Sequence, residues 1–194
     1  MRGDADPPGL TIEGIGTPLG DVLLVAWPDE RLCASEFADR EERLHRLLDR
    51  RIGKGRYRLA PGRVAAAIKL ALERYFDGDL AAIDTIPLTM GGTSFQQEMW
   101  TALRTIPPGT VTSYAGMAMT LRRPGAARAI GHANAANPFE IIVPCHRLVG
   151  SDGALTGYAG GLRRKRWLLD HEGRHALPGA AATSAPVTET IPGP

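Results

Sequence analysis

The chain has 194 residues, room for one large domain or two small ones, and 43% of them are apolar, enough for a core and against wholesale disorder. No stretch approaches the ~20 consecutive apolar residues of a membrane span, and Met1-Arg2-Gly3-Asp4 lacks the layout of a secretory signal, so the cytoplasm is the expected compartment. The formal charge of +2 conceals an asymmetry: residues 94–175 carry ten Lys/Arg against five Asp/Glu, whereas residues 1–93 carry thirteen against fifteen. A basic second half on a mildly acidic first half suits a polyanion-binding module on a scaffold, and equally an ordinary solvated surface.

Residues 1–9 are rich in Pro, Gly and Asp and are expected to fray. Ile12 to Trp27, interrupted by Thr17-Pro18-Leu19-Gly20, reads as two strands around a turn, and Arg31 to Phe37 as a third strand containing Cys33. Leu44, Leu47 and Leu48 place an amphipathic helix over Asp39–Arg51; after a loop from Gly53 to Gly62, a second helix runs from Val64 to Phe76. Gly91-Gly92-Thr93 marks the expected boundary between an α/β domain (10–91) and a mainly helical domain (92–175).

In the second half, Ser94 is placed to cap a helix through Leu103, with Gln97 completing a capping box. Ser113 caps a helix from Tyr114 to about Thr120, and Ala126 to Ala135 forms the next. This pair, joined by Arg122-Arg123-Pro124-Gly125, has a helix-turn-helix pattern that many proteins share without touching DNA. Ile141-Ile142-Val143 reads as a short buried strand or extended segment, and Leu162 to His171 as a last helix stopped by Gly173. The run Arg163-Arg164-Lys165-Arg166 is expected to be a solvated face, and residues 176–194, aperiodic in Ala, Pro, Thr and Ser, a disordered tail.

Two cysteines are too few for a disulfide framework, and Cys/His spacing suggests no metal site. Cys33, inside a strand, reads as a small buried hydrophobe. Cys145 follows an apolar run and precedes His146 and Arg147, so neighbouring positive charge or a general base can favour its thiolate. An inert buried thiol fits the same spacing.

The segment Ile142-Val143-Pro144-Cys145-His146-Arg147 resembles the active-site signature of the O6-alkylguanine-DNA alkyltransferases. Thr112-Ser113-Tyr114, Asn137-Pro138, Gly157-Tyr158-Ala159-Gly160-Gly161 and Trp167-Leu168-Leu169-Asp170-His171-Glu172-Gly173 resemble the family's pattern in the same order, from about Phe95 to Gly173. The resemblance implies an α+β fold: a ribonuclease-H-like α/β domain, then a winged-helix-like domain with the helix-turn-helix. It implies direct reversal of damage, in which the alkyl group of O6-alkylguanine, and of O4-alkylthymine, passes to Cys145.

Implied roles follow residue by residue. Glu172 orients His146, which draws the thiol proton through a water; Tyr114 donates to the displaced guanine and Asn137 ties the turns before Cys145 together. Arg128 fills the space of the flipped nucleotide, and Ser113, Ala126, Ala127, Ala129 and Gly131 accompany it against the minor groove of double-stranded DNA. Val143, Pro144, Leu148, Tyr158 and Ala159, the last a serine in some relatives, shape the pocket. S-alkylcysteine is a thioether without an electrophilic carbonyl carbon, so the protein is a reagent used once. No cofactor is implied. With only Cys33 and His45 in the first half, the zinc of some relatives is not expected; the expected state is a monomer able to cluster cooperatively on DNA. Three rivals stand beside this reading: a damage-binding protein of the same shape, which Cys145 opposes, a helix-turn-helix regulator, and a Cys-His-Glu hydrolase.

Overall fold

The computed structural model describes residues 6–176; the expected tail beyond 176 and the extreme N-terminus lie outside the described residues. Strands β1 (Gly9–Ile15), β2 (Val22–Ala26) and β3 (Leu32–Phe37) form an antiparallel meander, and β4 (Arg58–Pro61) adds in parallel to the other edge of β1, giving the order β3-β2-β1-β4. Gly9 is therefore strand rather than frayed terminus. Strand β4 lies inside the expected loop. It is four residues long and has no β-branched residue, so its own sequence carries no strand signal; Pro61 is tolerated because the strand is at an edge.

The alternation of β2 sorts the core. Val22, Leu24 and Ala26 face one side of the sheet, while Leu23 and Val25 face the other. On the second side, helix α1 (Glu41–Ile52) covers Leu10, Val25, Cys33 and Ala34 with Leu44 and Leu48. On the first side lies a single apolar cluster that crosses the expected domain boundary. It joins Val22, Leu24, Phe37 and helix α2 (Ala66–Phe76) to Met99, Trp100 and Leu103 of α3 (Ser94–Arg104), Ile130 of α5 (Ala127–Ala135) and Leu168 of α6 (Leu162–His175). Trp100 Nε1 donates to the Ala133 carbonyl at 2.9 Å, tying α3 to α5.

Four expectations need correcting. The cap of α3 is Thr93, whose Oγ1 accepts from Gln96 N at 3.2 Å while Gln96 Oε1 accepts from Thr93 N at 2.9 Å; the box sits one residue earlier than Ser94/Gln97. Gly173 does not stop α6, which continues to His175, because the buried Leu168, His171 and Glu172 fix the helix by packing, which outweighs the ~1 kcal/mol propensity cost of glycine. The Arg163–Arg166 run is not simply solvated. Lys165 is fully buried and donates to the Leu148 and Thr156 carbonyls, and Arg164 pairs with Asp39 at 3.0 Å and lies over the Phe37 ring.

Finally, Ile141–Val143 is not a strand but a series of tight turns: Ile142 N donates to Glu140 O, Val143 N to Phe139 O and Cys145 N to Val143 O. Ile141 has φ = 72°, a left-handed conformation that costs a β-branched residue of order 1–3 kcal/mol and that only surrounding packing can hold. Among the described residues no helix is long and apolar enough to cross a membrane.

Candidate active site

The free edge of β3 positions the segment before Cys145. Ser35 N donates to Pro138 O (2.8 Å), Glu140 N donates to Ser35 O (3.0 Å), and the Ser35 hydroxyl donates to Glu140 O (2.9 Å). From inside the turns, the buried Asn137 amide donates to Phe139 O (3.3 Å) and Val143 O (3.0 Å) and accepts from Phe139 N (3.0 Å). Cys145 then opens a single 3₁₀ turn, Cys145–Arg147, that leads into β6 (Leu148–Val149). Strand β6 pairs in parallel with β5 (Thr112–Ser113), and the residue after Ser113 is Tyr114, first in α4 (Tyr114–Thr120). That short pairing brings Tyr114 and Cys145, thirty-one positions apart in sequence, to the same site. Ser113 caps α4, its Oγ accepting from Gly116 N at 2.9 Å.

Glu172 is the hub. Its Oε1 accepts from His146 Nε2 (2.9 Å), Arg147 Nη2 (2.8 Å) and the Tyr75 hydroxyl (2.8 Å); its Oε2 accepts from Arg147 Nε (2.9 Å) and Gly109 N (3.2 Å). Burial alone would raise this carboxyl, but the His146 ring and the Arg147 guanidinium hold it well below the usual carboxylate range. His146 is fully buried; burial pulls it below the ordinary imidazole value although Glu172 pulls the other way. With Nε2–H given to Glu172, its Nδ1 is a buried acceptor with no hydrogen-bond partner among the described residues. The ring stands edge-on to Tyr158, 6.3 Å between centroids.

Arg147 is therefore spent on Glu172 and the Ile106 carbonyl and does not flank the thiol. The charged group within hydrogen-bond range of Cys145 is negative. Glu140 Oε2 lies 4.0 Å from Sγ, at the outer limit of a hydrogen bond to sulfur. Burial, and then this carboxylate, push the Cys145 thiol far above the usual range, with Asn137, Arg43 and Lys165 opposing. The expectation that neighbouring positive charge depresses it is thus corrected: burial and Glu140 both favour the protonated thiol, whose residue is 2% exposed. Cys33 is also buried, its thiol pushed up to about 12 by desolvation.

Of the pocket residues, Val143, Pro144 and Leu148 are buried, and Tyr158 and Ala159 are half-buried. The Tyr114 hydroxyl bonds to Thr156 and lies near Gly157, while its ring edge faces Gly131. An open groove of about 580 Å³ lies between the start of α3 and α5, lined by Phe95, Gln96, Ala126, Arg128 and Ala129 among others. Arg128 and Ala129 are exposed along it; Ala127 and Gly131 are half-buried and not part of its lining, Gly131 being turned toward Tyr114.

Residue type and order gave no hint of Tyr75, Arg43 or Glu36 as members of this network, and Glu140 had only a weak signal, a lone charge in the apolar run Phe139–Val143. The expectation that no Cys/His spacing suggests a metal overlooked one pattern: His171 and His175 bracket Glu172 as in a zinc-binding helix. In the fold His171 Nε2 bonds to Tyr75 O (2.8 Å), His175 Nδ1 bonds to His171 O (2.9 Å), and Glu172 is occupied by five donors. Among the described residues no group of three His, Cys, Asp or Glu converges.

Comparison with known proteins agrees with this architecture. Residues 94–174 match the family described as 6-O-methylguanine DNA methyltransferase, DNA binding domain. The chain is 48% identical over 161 residues to the methylated-DNA–protein-cysteine methyltransferase of Shigella flexneri, covering 83% of this chain and 94% of that protein. It is 51% identical over 112 residues to the Mycobacterium bovis protein of the same name, covering 58% and 67%. The fold is similar to the crystal structure of Mycobacterium tuberculosis OGT in complex with DNA (TM-score 0.69, 36% identity, 89% and 96% covered). It is also similar to the O6-methylguanine-DNA methyltransferase of Pyrococcus kodakaraensis (TM-score 0.65, 25% identity, 84% and 99% covered). The chain belongs to the methylated-DNA–protein-cysteine methyltransferase family.

Proposed function

We propose that this protein repairs DNA by transferring the alkyl group of O6-alkylguanine, and of O4-alkylthymine, irreversibly to Cys145. The observation that carries the reading is the buried Cys145–His146–Glu172 arrangement in a chain of this family, with His146 Nε2 held by Glu172 at 2.9 Å. Glu172 fixes the tautomer that leaves His146 Nδ1 as a base, and a water relays the thiol proton to it. Sulfur attacks the alkyl carbon in line, the carbon–O6 bond breaks, and the electron pair stays with guanine, toward which the Tyr114 hydroxyl donates. The sulfur ends as a thioether, so each molecule works once.

The damaged nucleotide has to leave the stack to reach a sulfur that is 2% exposed, at a cost of a few kcal/mol. Arg128, exposed beside the groove, takes the vacated place. Ser113, Ala126, Ala127, Ala129 and Gly131 let α4 and α5 approach the minor groove, where sequence information is poor. Val143, Pro144, Leu148, Tyr158 and Ala159 enclose the base. Residues 10–91 act as a ribonuclease-H-like scaffold whose β3 edge holds the Cys145 segment, and residues 92–175 as the winged-helix-like unit that meets DNA. The protein works in the cytoplasm as a monomer, with cooperative clustering on DNA.

Incubation with duplex DNA bearing O6-methylguanine should add a single methyl, about 14 Da, to the intact mass, located on Cys145 and absent from Cys145→Ser; more than one equivalent turned over would sink the single-use reading. Arg128→Ala should slow transfer from duplex DNA by about tenfold to a hundredfold while leaving transfer from the free O6-methylguanine base unchanged, since only the duplex requires flipping. Rapid-quench single-turnover kinetics on the two substrates check this.

A further inference from the structure

The groove along α5 does not end at the start of α3. A second cleft, of about 400 Å³, lies between the last turn of α1 and the first turn of α3, and it shares Thr93 and Gln96 with that groove, so the two are continuous. Its far side carries Arg50 and Arg51 of α1, outside the 92–175 unit that the reading above sets against DNA. Arg50 is exposed and makes no hydrogen bond or ion pair among the described residues; the same holds for the Arg128 side chain at the other end of the path. Arg51 is tied down instead. Its guanidinium donates to the Cys33 and Thr89 carbonyls and stands 5.5 Å from the centre of the Phe139 ring, so its charge is fixed beneath the cleft. No Asp or Glu lines either cleft. The first half of the chain carries fifteen Asp/Glu against thirteen Lys/Arg, so a positive strip there is not a consequence of composition. The carbonyls at the end of a helix favour a cation in its last turn. That accounts for Arg50 alone, but not for an acid-free path that joins it to Arg128.

We propose that the end of α1 is part of the DNA interface: Arg50 takes a backbone phosphate of the duplex flanking the damaged nucleotide, and Arg51, anchored beneath, adds positive potential to the same strip. The inference rests on the reading that α5 meets DNA, and it gives the first domain a part in binding beyond that of a scaffold. Phosphate contacts fix register and orientation without reading sequence, which a repair protein acting at any site requires. A side chain in the vacated place of the nucleotide holds the protein at one point of the duplex. A cation on a separate rigid element sets its rotation about that point. Helix α1 is suited to this because Arg43, two turns before Arg50, donates to the carbonyls of Ala135 (2.8 Å) and Asn137 (3.0 Å). Those bonds fix α1 relative to the end of α5 and to the turn before Cys145, so a phosphate held at Arg50 is held in register with the site.

Affinity for an O6-methylguanine duplex is measured by fluorescence anisotropy over a series of salt concentrations, with the full-length protein in a Cys145→Ser background so that no transfer intervenes. That parent is compared with Arg50→Ala, Arg50→Lys and Arg56→Ala, the last an exposed arginine of the same domain outside both clefts. One phosphate contact contributes about 0.9 to the slope of log affinity against log salt, which is about eightfold in affinity at ~0.1 M salt. Arg50→Ala should lose both, Arg50→Lys should keep most of each, and Arg56→Ala should match the parent. A neutral methylphosphonate is then placed at each phosphate flanking the lesion in turn. One position should weaken the parent and leave Arg50→Ala unaffected. An unchanged slope in Arg50→Ala overturns the proposal, as does the absence of such a position. A loss equal in Arg56→Ala overturns it too, because the effect is then net charge alone. Arg50 makes no bond within the protein, so Arg50→Ala should melt with the parent; should it fold poorly, Arg50→Gln, which also removes the charge, takes its place. Transfer is followed separately with Cys145 intact. If the wild type takes no methyl from the duplex, the alkyl-transfer reading fails, while the slope and the methylphosphonate scan still decide whether Arg50 meets a phosphate.

Discussion

Glu172→Gln should lower the single-turnover transfer rate by about 10²- to 10⁴-fold, the range associated with loss of an oriented general base. It should also destabilise the fold by about 3–5 kcal/mol, because Arg147 would be left buried against a neutral amide. Both effects come from one carboxylate. Its Oε1 and Oε2 take five donors, and a glutamine can satisfy them only through one oxygen while presenting an N–H to Arg147 or His146. The lost stability corresponds to a fall in melting temperature of roughly 10 °C for a chain of this size.

The pH dependence of that loss follows from the direction of the shift. The folded Glu172 carboxyl lies below its unfolded value, so its contribution is complete above about pH 4.3 and is lost as pH falls through the folded value. Thermal melts from pH 3 to pH 8 should therefore show the wild type and Glu172→Gln converging at the acid end. A parallel offset across the range would disprove the assignment. Adding Arg147→Met should restore part of the stability, since a buried ion pair can be replaced by apolar side chains at little cost, but it should not restore transfer. That contrast separates the structural part of Glu172 from its orientation of His146.

What could be read in advance was chemistry carried by residue type in order: Cys145 beside His146, Asn137-Pro138 ahead of it, Glu172 after it. The strands and most helices were legible from alternation and from the Leu44, Leu47, Leu48 spacing. What escaped depends on tertiary partners. Arg147, Lys165 and Arg164 look like surface because charge alone predicts solvation, yet each is drawn inward by an acceptor that the local sequence does not announce: Glu172, the Leu148 and Thr156 carbonyls, and the Leu19 carbonyl. Ile141–Val143 has the composition of a strand, but Ser35 and Asn137 take up the backbone groups of the surrounding segment and leave a series of turns. Strand β4 exists because β1 offers a free edge, and Gly173 stays helical because its neighbours are packed. The basic bias of the second half, by contrast, was a poor guide to the thiol, whose sulfur lies 4.0 Å from the Glu140 carboxylate.

Arg43→Met should be the other severe variant, destabilising by about 3–5 kcal/mol at pH 8, because it strands two buried carboxylates at once. Arg43 is 12% exposed, and one guanidinium serves Glu36, Glu140 and the carbonyls of Ala135 and Asn137, so it joins α1, the β3 edge and the turn before the site. The sign of the pH effect is opposite to that of Glu172. A carboxyl whose folded pKa is raised binds protons more readily in the native state, so native stability falls as pH rises from the unfolded value to the folded one. For Glu140 this window runs from about 4.5 to about 7 in the intact protein. Removing Arg43, which opposes the shift, extends the window upward, so the variant's deficit should be small near pH 5 and largest above pH 7. Urea melts at pH 5 and pH 8 measure it directly. In Arg43→Met with Glu140→Gln, the part of the dependence on pH between 5 and 8 that comes from Glu140 should vanish. If the deficit of Arg43→Met is the same at both pH values, its cost is lost packing and carbonyl bonding, and the electrostatic account of this joint is wrong.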